Sequence, residues 1–116
     1  MKIVIRDQHQ LLSPEAIERT KTKVTAAFSK FGLRISRVEI SVEDVNGPRG
    51  GVDQQCRVVA KLKKMGDVMA TVTDASLAKS IRSAISRAER GVSRRIRKHS
   101  VGDNDRSSNF GFAFYD

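Results

Sequence analysis

The sequence predicts an α+β fold, a two-layer β-α-β-β-β-α sandwich in which a four-stranded sheet carries two helices on one face. Two patterns predict it. Three central segments alternate apolar and polar residues, so each strand has one face to bury and one to leave in water. On either side of them lies a longer segment whose apolar residues recur at three- and four-residue steps, the spacing of a helix buried along one stripe. A sheet with a single apolar face is covered on that face alone, so both helices are expected there.

In chain order, residues 2–6 form a short strand rich in β-branched side chains. After a polar stretch, Ser13-Pro14-Glu15 starts a helix: a hydroxyl to cap free N–H groups, a proline at the first helical position, then an acid at the positive end. This helix is expected to run to about Phe31 and to stop at Gly32. Ile17, Val24, Phe28 and Phe31 share its apolar face with Thr20 beside them, and Arg19, Lys23 and Lys30 lie opposite. The strand over 36–43 turns Val38, Ile40 and Val42 inward. That over 56–63 turns Cys56, Val58, Ala60 and Leu62 inward, and Val68, Ala70 and Val72 continue the pattern after a tight turn at Met65-Gly66. The first two strands should be parallel, joined by a right-handed crossover through the first helix.

The final helix, expected over 75–99, is the most informative segment. It holds eight basic residues against one acid, Glu89, and so contributes +7 of the formal +9. Leu77, Ile81, Ala84, Ile85, Ala88, Val92 and Ile96 make its apolar face. Opposite them fall Lys79, Arg87, Arg90, Arg94, Arg97 and Lys98. Solubility is served by mixed signs, whereas near-uniform sign on one face suits a polyanion. With both helices on one side of the sheet, their basic stripes are expected to merge into one continuous positive surface.

Composition limits the alternatives. A chain of 116 residues with 39% apolar and 30% charged residues is an ordinary globular balance sufficient for one domain, placed at 1–99. No apolar run approaches a membrane span, the first residues do not read as a signal peptide, and one cysteine excludes an internal disulfide. Those features point to the cytoplasm, where the polyanion is nucleic acid, with no membrane and no small-molecule substrate expected. Catalytic and metal sites are not expected either. Cys56 falls on an inward register, His9 and His99 lie near opposite ends of the domain, and neither metal-ligand spacing nor a nucleotide-binding glycine motif occurs. The chain reads as a binder without cofactor. Its strands lack the aromatic residues on which single-strand readers stack bases, so phosphate and shape contacts are expected to dominate.

Two segments stand apart. The stretch DVNGPRGGVD at 44–53 places Arg49 between a stiffening proline and two glycines. It suits either a phosphate contact or a long hairpin connection closed by Asp44 or Asp53. Its G-x-x-G resemblance to KH domains fails, because strands flank it rather than helices. Residues 100–116 read as a flexible tail ending in four of the six aromatics, either a clip onto the domain's own sheet or a dock for a protein partner.

Taken with its dsRBD-like layout, the chain resembles the hibernation-promoting factor and ribosome-associated inhibitor family. The element order over 1–99 matches, RSAISRAERGVSRRIRKH at 82–99 looks like the family's closing helix, and the 44–53 loop followed by Cys56 looks like a mark of a divergent short branch. The resemblance implies occupation of ribosomal RNA on the small subunit near the decoding site, blocking messenger and transfer RNA during starvation or stationary phase. The expected RNA contacts are Arg19, Lys23, Lys30, Lys79, Arg82, Arg87, Arg90, Arg94, Arg97 and Lys98, with Arg49 from the loop. Arg82 and Ser86 stand where the family commonly has a tyrosine and an aspartate, which puts contacts by those side chains in doubt. Long members of the family carry a C-terminal domain that pairs ribosomes, and a short tail stands in its place here. Alternatives are a structured-RNA or DNA binder acting off the ribosome, and a protein-interaction module working through the aromatic tail.

Overall fold

A computed structural model describes residues 1–45 and 53–107, with side chains as far as His99. Strand β1 (Lys2–Asp7) leads through helix α1 (Pro14–Phe28) and a 3-10 segment (Ser29–Arg34) to β2 (Ile35–Asp44). Strands β3 (Gln54–Leu62) and β4 (Gly66–Asp74) follow, then helix α2 (Leu77–Ser107). The sheet order is β1-β2-β3-β4, with β1 parallel to β2 and the other pairs antiparallel. This is the predicted β-α-β-β-β-α two-layer fold.

Local chemistry fixes the crossover that a parallel pair requires. The Asp7 carboxylate accepts hydrogen bonds from the Leu11 and Leu12 N–H groups at 2.8 and 2.7 Å, so the polar stretch is a closed turn. Ser13 Oγ then accepts from the Ala16 N–H at 3.1 Å and caps α1. The helix stops at Phe28, short of the expected Phe31, because its last turn tightens into the 3-10 form that helix ends use to satisfy free carbonyls. Gly32 kinks this segment with φ of 58°, a backbone state open to glycine. Phe31 stays buried, its ring centroid 6.2 Å from that of Phe28.

In the sheet, Val38, Ile40, Val42, Cys56, Val58, Ala60 and Leu62 all point into one core with Val24 and Phe28 of α1 and Ile81, Ala84, Ile85, Ala88 and Val92 of α2. Full burial of each large apolar side chain contributes roughly 1.5–3 kcal/mol. A bulge adds a member the period-two pattern hides. Ile35 pairs with Leu62 and Arg37 with Lys61, so Ser36 is the extra residue and Ile35 turns inward despite lying three positions from Val38.

Close approach sets where α2 sits. Ala84 and Ala88 are fully buried, and a Cβ on Gly91 would stand 2.6 Å from Val68 Cγ1, so only glycine allows this separation between helix and β4. At the base of the sheet, Arg95 Nη1 donates to the Met65 carbonyl at 2.6 Å and ties the helix to the β3–β4 turn. Helical backbone continues to Ser107, past residue 99 where a flexible tail was expected to begin. Once a helix is nucleated, each added residue gains a backbone hydrogen bond, so a strong helix can carry a weakly helical sequence with it. Residues 46–52, including Arg49, and the aromatic residues of 108–116 lie outside the described residues.

Candidate nucleic-acid interface

Each turn of α2 distributes its charges differently. The helix buries the stripe from Leu77 to Ile96 against β3 and β4, leaving two flanks and an outer face. Toward α1 it presents Glu89, which binds Lys30 Nζ, and seven residues earlier on the same side lies Arg82. Toward β4 it presents Arg87, Arg94 and Lys98, with Arg90 and Arg97 next to them on the outer face and Lys79 near the helix start. Lys79, Arg82, Arg87, Arg90, Arg94, Arg97 and Lys98 are all exposed, as are Arg19 and Lys23 on α1.

The expected merged surface is therefore uneven. On the inter-helix side Lys30 is held by Glu89 and lies 5.4 Å from the Phe31 ring centroid, so its charge is largely offset in place. On the other side, Arg87, Arg90, Arg94, Arg97 and Lys98 line an open groove of about 1090 Å³ whose far wall is β4. Among the described residues, Glu18, Glu89, Glu39 and Asp67 make ion pairs, and none of these involves the five cations. Asp67 lines the groove, but its ion pair is to Lys61, at 4.0 Å. Arg90 also donates to Ser86 Oγ at 2.9 Å, which lays its side chain along the helix.

The eighth cation of the helix behaves differently. Arg95 is half-buried and committed to the Met65 carbonyl, a structural strut that its charge alone does not reveal. Gly91 and the exposed edge of β4, with Met69 and Thr71 in the groove wall, are further parts of this site that the sequence pattern did not bring out. An isolated glycine inside a helical pattern is the one signal that could have found the close contact.

Other faces carry mixed signs. On the open side of the sheet Arg37 pairs with Glu39 at 3.0 Å, so the uniform charge belongs to α2 and not to the whole molecule. Cys56 is completely buried, and desolvation pushes its thiol pKa up to about 12. A thiol held neutral this way is a poor nucleophile. Among the described residues no three His, Cys, Asp or Glu side chains gather as metal ligands, and no helix is long and apolar enough to cross a membrane.

With this geometry in place, two solved structures prove similar. A ribosomal subunit interface protein from Coxiella burnetii matches with a TM-score of 0.68 and 18% identity, over 81% of this chain and 96% of that one. The N-terminal domain of Protein Y from Thermus thermophilus matches with a TM-score of 0.66 and 17% identity, over 81% of this chain and 98% of its own length. The chain thus has the fold of these two proteins across nearly their full lengths. No family model matches the sequence, and no curated protein matches it.

Proposed function

We propose that this chain is a ribosome-associated protein of the hibernation-promoting factor and ribosome-associated inhibitor type. In this reading it occupies ribosomal RNA of the small subunit near the decoding site, keeps messenger and transfer RNA out under stress or in stationary phase, and acts in the cytoplasm. It carries out no reaction and needs no cofactor. One observation carries the reading: five cations without ion-pair partners among the described residues stand along one helix of a fold shared with a ribosomal subunit interface protein. Near-uniform positive charge on a rigid helix gives tight but sequence-tolerant phosphate binding, which suits a folded RNA surface.

Sedimentation tests it. Stationary-phase lysate run on a sucrose gradient should show the protein moving with ribosomal particles, and with the small subunit after the subunits are separated at low magnesium. A protein that stays at the top of the gradient while still binding purified RNA would instead be a general nucleic-acid binder. Retention by a protein partner through residues 108–116, with no RNA affinity, would favour an interaction module.

A further inference from the structure

We infer that the groove between α2 and the outer edge of β4 holds one extended single strand of RNA by its phosphates, with the bases turned away from the protein. This rests on the RNA-binding reading above and narrows it to a substrate form. Three observations lead there. First, the cations form one row. Arg87, Arg90, Arg94 and Arg97 follow each other at three- and four-residue steps, so at a rise of ~1.5 Å per residue they span about 15 Å, room for roughly three or four phosphates of an extended strand.

Second, the inter-helix flank of α2 is the weaker one, with Arg82 exposed there but Lys30 engaged by Glu89. A duplex bound across its minor groove is gripped through two backbones. The cation that would begin the second grip, Lys30, is already held by Glu89, while the outer row has no carboxylate partner among the described residues. Third, the row has a wall. Among the described residues β4 is the last strand of the sheet, with no neighbouring strand on its outer side, and Gly91 sets the helix close against it. That makes a walled track along the row, edged by Thr71 and by Met69, which is 60% exposed. Among the described residues no aromatic side chain lines it, so none of them stacks a base there.

The test uses the full chain and two probes, a uridine oligomer of about a dozen nucleotides and an RNA duplex of the same length. By fluorescence anisotropy the single strand should bind more tightly, with a log–log salt slope on the order of −2 to −3 for three to four neutralised phosphates. Arg87→Glu with Arg94→Glu should weaken it roughly tenfold or more and flatten the slope, while Arg82→Glu on the other flank changes it much less. Duplex binding as tight as or tighter than the single strand overturns the inference, as does equal sensitivity to Arg82→Glu. So does displacement of the oligomer by an equally charged poly-glutamate peptide, which would make the groove a general polyanion track. The first comparison uses unmodified protein, so it stands even if a variant fails to fold. Ribosome sedimentation run in parallel separates the two readings. Loss of single-strand preference with sedimentation intact overturns only this inference, and the reverse overturns only the ribosomal one.

Discussion

Lys30 and Arg95 show that a basic side chain near a basic surface is not thereby a ligand. Both are cations in the sequence, yet one closes the α1–α2 contact through Glu89 and the other braces the β3–β4 turn. Lys30→Gln should therefore weaken RNA binding much less than Arg94→Gln, measured as dissociation constants at one salt concentration. Glu89→Gln should strengthen binding modestly by releasing Lys30, at a stability cost of about 0–1 kcal/mol, since Lys30 is exposed and Glu89 only partly buried. Cys56 makes a separate prediction. Its thiol ionises near its ordinary value of 9.0 in the unfolded chain but only at about 12 in the fold. Above pH 9 the unfolded state releases the proton first, so this stabilisation is complete below pH 9 and is lost as pH rises toward 12. Thermal midpoints of the wild type and Cys56→Ala should accordingly converge between these values. A gap that stays constant would show that the thiol is not the cause.

Element boundaries record competition between local signals and packing. Ser13, Pro14 and Gly32 act where the sequence places them, because capping and positive φ are properties of a residue and its immediate neighbours. The bulge at Ser36 was not legible, since it exists only in the pairing of β2 with β3. Gly91 belongs to the same class. Alanine there would favour the helix by about 1 kcal/mol in isolation. Against β4, however, its Cβ would meet Val68 at 2.6 Å, and overpacking of this kind costs roughly 1–3 kcal/mol. The clash should win, because valine is stiff about its Cα–Cβ bond. Gly91→Ala should lower the thermal midpoint, and adding Val68→Ala should recover part of the loss. If the single variant is more stable than wild type, helix propensity governs the site instead.

Across the whole molecule, charge and core lie on separable surfaces. Reversing Arg90, Arg94 and Arg97 to glutamate should abolish ribosome sedimentation and leave the fold intact, since none of the three enters the core. With roughly four to six phosphates neutralised, the wild-type salt slope on the ribosome should be on the order of −3 to −5. Reversing Arg57 and Lys61 should matter less, because they lie on the mixed-sign face of the sheet. A larger effect from the strand reversals would mean that the other face binds. Removing 108–116 should preserve cooperative unfolding, because Ile96 is the last core-packed residue among those described. Loss of the cooperative transition would place the aromatic tail in the core.

By itself the sequence determined the fold class, the strand faces, the first helix's start and the positive character of α2. Periodicity, caps and charge are local, and each can be read from residues a few positions apart. Only the tertiary structure decided which cations are engaged and which face outward in a row. Lys30 meets Glu89 across 59 residues and Arg95 meets Met65 across 30, and such pairings arise only when helices settle at a particular depth on the sheet. That depth is set by Gly91 against Val68, a contact between a helix and an edge strand that no pattern along the chain encodes.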